Sequence, residues 1–185
     1  MSDNATVLLS GGIDSAACTR LLQEQGANVR CVFVDYGQAA AGPEQQSALS
    51  LASQLNAELS VVTILAPRKF GAGEILGRNA FLVLTALMTS DIQSGAIVLG
   101  IHAGTRYYDC TPAFLSSIDR LVAEYSDGRI RVVAPFIAWS KRDIFVYFMN
   151  AGLSINLTYS CEAGTAPPCG SCASCQDRMA LGCFL

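Results

Sequence analysis

Apolar residues along this chain fall into short runs separated by amphipathic stretches. Residues 6–10 form a continuous apolar run suited to a buried strand, and residues 29–35, 58–65, 96–101 and 131–134 have similar character. Between them lie helical patterns. Residues 15–25 place Ala17, Cys18, Leu21 and Leu22 on one face and meet a natural stop at Gly26. Residues 43–55 open on Pro43, which suits a first helical turn. Residues 112–125 gather Phe114, Leu115, Ile118, Leu121 and Val122 on one side, and residues 140–150 end near Gly152. Residues 78–94 are apolar over most of their length, which predicts a long helix buried on several sides. Strands separated by helices pair in parallel through right-handed crossovers. The expected fold is therefore α/β, with a doubly wound, mostly parallel sheet. From Tyr159 the chain becomes rich in Gly, Pro and Cys. That shift predicts a main α/β domain over residues 1–158 and a small appendage over residues 159–185, both in one compact unit.

Composition narrows the class. A length of 185 residues is about one domain. With 51% hydrophobic and 15% charged residues the chain is too apolar to be disordered. Its longest apolar stretch, residues 80–88, falls short of the roughly 20 residues that span a bilayer. The opening Met-Ser-Asp-Asn-Ala-Thr has no signal-peptide character. A cytoplasmic domain without a membrane partner is expected, with surplus apolar surface kept for a partner subunit. The net charge is -3, only Lys69 and Lys141 are lysines, and the arginines are scattered. No basic run suggests a nucleic-acid partner.

Two clusters carry candidate chemistry. The first is Ser10-Gly-Gly-Ile-Asp-Ser15, placed where the first strand gives way to the first helix. Ligands bind at this edge of open α/β sheets. Gly11 and Gly12 permit a tight turn with close anion approach, and Ser15 opens a helix whose first amides are unpaired. The combination predicts a phosphate cradle. A carboxylate beside phosphate is repulsive, so Asp14 suits either positioning of Mg²⁺ or capping of the helix. The loop is not a Walker A sequence.

The second cluster is Cys161, Cys169, Cys172 and Cys175, four of the eight cysteines within fifteen residues. Clustered cysteines in a reducing compartment point to a metal. Four thiolates suit a closed, structural Zn²⁺ site; buried free thiols and an iron–sulfur cluster are the competing readings. Cys172 and Cys175, at i and i+3, can share a face at the start of a last helix.

The hexapeptide resembles the signature of the PP-loop ATP pyrophosphatases. With the cysteine tail, it resembles the QueC family, 7-cyano-7-deazaguanine (preQ0) synthases. The similarity extends through Asp35-Tyr-Gly-Gln38, Gly77-Arg-Asn79 with Phe81 and Leu82, Asp109-Cys110 with Pro112 and Phe114, Pro135 with Ser140-Lys141 and Ile144, and Ser160-Cys161 with Cys169-Gly170, Cys172 and Cys175. This resemblance covers essentially the whole chain. It implies binding of ATP by Ser10, Gly11, Gly12, Asp14, Ser15 and Lys141. It also implies adenylation of a 7-carboxy-7-deazaguanine, attack by ammonia to give an amide, and a second ATP-driven dehydration to the nitrile. Family relatives in phage defence imply an alternative in which a protein amine takes the activated carboxylate. A nucleotide-binding module without chemistry and a tRNA-thiolating enzyme of the same superfamily are further alternatives.

Within that chemistry Lys141 supplies a point charge for phosphate, and Arg78 a bidentate fork for phosphate or carboxylate. Catalytic roles are therefore expected for Asp14, Lys141 and Arg78. Asn79 and Asp109 offer donors and acceptors to a purine-like edge, and Tyr36 and Phe81 offer stacking faces. With Asp35, Gln38 and Arg78 they form the expected substrate set. His102, the sole histidine, is expected to be structural. The family is commonly dimeric, so a homodimer or a complex with a partner protein is expected. The chain departs from the family at Ala39 and Ala40, at residues 102–108, and in a short segment over residues 67–76. The shorter segment predicts a more open site.

Overall fold

The structure, a computed structural model, describes residues 4–65, 69–102 and 104–183. Pro67 and Arg68, in the short segment singled out above, lie outside the described residues. Five strands form one parallel sheet: β1 (Asn4–Leu8), β2 (Asn28–Asp35), β3 (Glu58–Thr63), β4 (Gly95–Val98) and β5 (Ile130–Val133), in the order β3-β2-β1-β4-β5. β1 is central, with Val7 opposite Cys31 on one side and Val98 on the other.

Alternation along β1 sends Ala5 and Val7 to one face and Leu8 to the other. The first face is covered by α1 (Ile13–Glu24), α2 (Ala41–Gln54) and α5 (Lys141–Asn150) through Ala16, Leu51, Ile144 and Phe148. The second is covered by α3 (Arg78–Thr89) and α4 (Pro112–Tyr125) through Val83, Ala86, Phe114, Ile118 and Val122. The sheet is thus doubly wound as expected. A last helix, α6 (Ala173–Ala180), belongs to the cysteine-rich tail. No helix among the described residues is long and apolar enough to cross a membrane.

One element differs from expectation. α3 ends at Thr89, five residues before 94, and its buried positions are Asn79, Val83, Thr85 and Ala86. Phe81 and Met88 are exposed. A helix lying on one face of a sheet has one side to bury, and Gly95, at φ 129° with its backbone against the Asn4 carbonyl, requires a tight turn into β4.

Gly100, just past β4, fixes how the sheet meets α1. A Cβ there would stand 2.8 Å from both the Cα and the N of Ser15, which are backbone atoms with nowhere to move. Gly100→Ala is expected to destabilise the fold by about 1–3 kcal/mol, as overpacking does. Thermal unfolding reads this directly, and an unchanged Tm contradicts it.

Candidate active site

The chain runs from β1 outward to β3 and then returns to place β4 on the other side of β1. That reversal opens a crevice at the carboxyl ends of β1 and β4. A cavity of about 280 Å³ lies there, and both segments contribute to its wall.

The glycine-rich turn forms its floor. Gly11 adopts φ 83°, and a Cβ on it would lie 2.6 Å from the Glu44 carbonyl, so both conformation and space demand glycine. Gly12 is the N-cap of α1, so no side chain occupies the first-turn amides. Ser15 is buried; its hydroxyl accepts from the Ser10 amide at 3.2 Å and donates to the Gly12 carbonyl at 3.2 Å, which braces the turn. An anion entering here meets unpaired amides and the positive end of a twelve-residue helix.

Asp14, in the first turn of α1, is paired with Lys141, the first residue of α5. Lys141 Nζ donates to both carboxylate oxygens, at 2.6 and 2.8 Å. A capping box between Ser140 and Asp143 starts α5 at this point and so fixes where Lys141 emerges. Both residues line the cavity. His102 lies in the same wall and is 6% exposed. Burial pushes its pKa down, against the pull of Asp14, and its Nδ1 accepts from the Gly104 amide. The neutral imidazole is thus a cavity residue that its isolation in the sequence did not reveal.

Arg78 and Asn79 begin α3 on the opposite wall. Asn79 is 3% exposed and its polar groups are engaged. Its amide donates to Asp109 Oδ2 at 3.1 Å, Nδ2 donates to the Asp109 carbonyl at 2.8 Å, and Oδ1 accepts from Arg78 Nε at 3.3 Å. The Asp109 carboxylate therefore serves the N-terminus of α3, and the trio sets the direction of the Arg78 guanidinium. Tyr36 and Gln38 also line the cavity. The Tyr36 ring meets Phe70 edge-on at 5.7 Å and Phe81 at 6.2 Å. Asp35 accepts from the Gly37 amide and shapes the turn after β2. Gly11, Asp35, Phe81 and Asp109 are not among the residues that line the cavity.

Several lining residues carry no sequence signal. Glu44, in the first turn of α2, accepts from Gln38 Nε2 at 3.0 Å, and burial pushes its carboxyl pKa up. Tyr159, Glu162, Ser174, Asp177 and Arg178 come from the tail. The Tyr159 amide donates to the Gly11 carbonyl at 3.0 Å, which ties the tail to the glycine turn.

The four tail cysteines converge, with all Sγ atoms within 4.8 Å of one another. Cys161 and Cys175 are buried, while Cys169 is exposed. The Cys169 amide donates to Cys161 Sγ at 3.3 Å, and the Ser171 and Cys172 amides donate to Cys169 Sγ at 3.5 and 3.4 Å. Against the opposing push of burial, donors led by the Cys169 amide bring Cys161 down to about 5. The Ser171 hydroxyl and the two amides also hold Cys169 below its ordinary value. Four soft donors at this spacing, with amides supporting thiolate charge, fit a divalent tetrahedral ion.

Comparison with known proteins places the chain in a family. The family model described as "Queuosine biosynthesis protein QueC" matches residues 4–80 and 74–181. The 7-cyano-7-deazaguanine synthase of Synechococcus sp. (strain CC9605) is 34% identical over 206 residues, covering 95% of this chain and 91% of that protein. The synthase of Aquifex aeolicus is 31% identical over 207 residues, covering 95% and 94%. Among solved structures, NMN synthetase from Francisella tularensis superposes with a TM-score of 0.50 at 16% identity, over 99% of this chain and 79% of that one. A predicted tRNA methyltransferase subunit from Methanocaldococcus jannaschii gives 0.54 at 14% identity, over 79% and 74%. At these identities the two structures speak for the fold alone. The length and identity of the sequence matches settle the family: the chain belongs to the QueC family.

Proposed function

We propose that this chain is an AMP-forming, ATP-dependent ligase that converts 7-carboxy-7-deazaguanine to its amide and then to the nitrile, as a 7-cyano-7-deazaguanine synthase. The observation that carries the reading is a single cavity in which an uncapped helix N-terminus, Lys141 and Arg78 converge, in a chain with synthase relatives over 95% of its length.

A carboxylate is a poor electrophile until one oxygen becomes a leaving group. Attack of that oxygen on the α-phosphorus of ATP forms the acyl-adenylate, breaks the bond to the β-phosphate and releases pyrophosphate. The α1 amides and Lys141 bind the phosphates and offset the charge gathered there. Arg78 holds the carboxylate or the α-phosphate in a bidentate fork. Ammonia adds to the acyl carbon, AMP departs, and the amide remains. In the second round the amide oxygen attacks the α-phosphorus of another ATP and pyrophosphate leaves; loss of both N–H protons and departure of AMP then give the nitrile. Mg²⁺, when bound with ATP, supplies charge neutralisation on the phosphates. Asp14 would hold it, with Lys141, its partner in the structure, turned toward the nucleotide. Zn²⁺ in the four-cysteine site is structural, because four thiolates leave no position for a reacting water.

A second reading has a protein amine in place of ammonia. It is favoured by the exposed residues 71–74, of which Gly73 lines the cavity, and by Leu76, 88% exposed, between Gly73 and Arg78 of that lining. A docked protein would cover that apolar side chain, exclude water from the acyl-adenylate and present its amine at high effective concentration. Isotope exchange between pyrophosphate and ATP tests the shared first step. Exchange that depends on the deazaguanine carboxylate supports it; exchange without the carboxylate, or none with it, counts against it.

A further inference from the structure

The four-cysteine site and the segment leading to Arg78 are far apart in sequence, yet one carboxylate bridges them. Glu162 follows Cys161 directly. Its Oε1 accepts from the Ser174 amide at 3.1 Å and from the Ser174 hydroxyl at 2.8 Å. Ser174 lies between Cys172 and Cys175 at the start of α6, so this oxygen joins the two halves of the cysteine site. The other oxygen, Oε2, accepts from the Gly73 amide at 3.0 Å, across 89 residues of sequence. Gly73 sits at φ 102° in an exposed loop, five residues before Arg78. Gly73, Glu162, Ser174 and Arg78 all line the cavity.

The rest of that loop is fastened at its ends. The Phe70 amide donates to the Gly37 carbonyl at 2.9 Å, and the Arg78 amide donates to the Ile75 carbonyl at 3.1 Å. Glu162 anchors the middle. The same appendage also presses on the facing loop, where a Cβ on Gly164 would stand 2.1 Å from the Ala39 carbonyl oxygen.

We propose that Glu162 is a positioning residue, coupling order in the cysteine site to closure of the loop over residues 71–77 and thereby to the placement of Arg78. This rests on the synthase reading only in the role it gives Arg78. With the metal bound, Cys161 and the start of α6 are held together, so Glu162 presents both oxygens at fixed positions and the Gly73 amide docks on a charged acceptor. With the metal removed, the halves separate, Glu162 loses its orientation, and the loop is released. The coupling runs through a contiguous set of hydrogen bonds and needs no change in the sheet.

Amide hydrogen exchange by mass spectrometry tests this without substrate. In the unmodified full chain, removal of the metal with a chelator is expected to speed exchange of the 71–77 peptide about tenfold or more, alongside the 159–183 peptide. Glu162→Ala is expected to retain its metal by elemental analysis and to show the fast 71–77 exchange already. Chelation should then accelerate 159–183 in that variant but add nothing at 71–77. Glu162→Gln, which keeps the shape but not the charge, is expected to fall between the two. The proposal is overturned if chelation leaves 71–77 unchanged in the unmodified chain, or if chelation still accelerates that loop in Glu162→Ala. Loss of metal from both Glu162 variants would also overturn it, because Glu162 would then be a determinant of the metal site itself. A failed synthase assay would leave these exchange results intact.

Discussion

Lys141→Ala is expected to lower the rate of carboxylate-dependent AMP formation by about 10²–10³-fold, the range for removing one preorganised charge from a developing anion. The same change should barely move stability. The Asp14–Lys141 pair is partly solvated, with side chains 19% and 27% exposed, and such pairs contribute about 0–1 kcal/mol. Turnover separates the roles: a mere strut between α1 and α5 would leave it largely intact. Lys141→Arg should recover little, because a planar fork does not reproduce a compact point charge. Asp14→Ala is expected to abolish turnover as well, through loss of the Mg²⁺ position. The double variant should be no worse than the more damaged single variant, as residues acting as a unit are non-additive. Steady-state rates and thermal melts on the four proteins decide the matter.

The architecture around that pair was largely legible in the sequence, because short apolar runs alternating with one-faced helices leave few arrangements other than a parallel sheet covered twice. The helix over Pro112–Tyr125 is found at its expected limits, since Pro112 at its start and a regular apolar face marked both ends. α3 was overextended because apolarity alone does not say where a helix stops; Ser90 and the turn into Gly95 set its end. The cysteine cluster was legible for the same reason as the glycine turn: unusual residue types lay close together in sequence. The bonds between Asn79 and Asp109, which hold the start of α3, could not be read from residues thirty positions apart in the sequence. Glu44, His102, Glu162 and Asp177 reach the cavity only through tertiary contacts, and a solitary acidic residue in sequence is more often a solvated one.

The second large effect concerns the tail. Protein purified without added metal is expected to carry about one zinc per chain, held by Cys161, Cys169, Cys172 and Cys175. Cys172→Ser should reduce this to near zero. Metal binding in such small sites contributes about 10–16 kcal/mol in isolated peptides, so most of the order in residues 159–183 should be lost with it. The consequence reaches the cavity, because Tyr159, Glu162, Ser174, Asp177 and Arg178 line it from the tail. Cys183→Ser, altering a tail cysteine outside the cluster, should leave metal content unchanged. Elemental analysis with limited proteolysis reads both results. Metal-free protein of undiminished stability, or a Cys172→Ser variant that keeps its metal, contradicts this account of the site.

The chemistry itself is most directly tested by incubating the protein with Mg²⁺, ATP, 7-carboxy-7-deazaguanine and ammonium, and following nucleotides and deazaguanines by mass spectrometry. The account predicts AMP and pyrophosphate only when the carboxylate is present, the amide appearing first, and the nitrile following with consumption of a second ATP. Release of ADP and phosphate, or an unaltered carboxylate after complete metal loading, would contradict it.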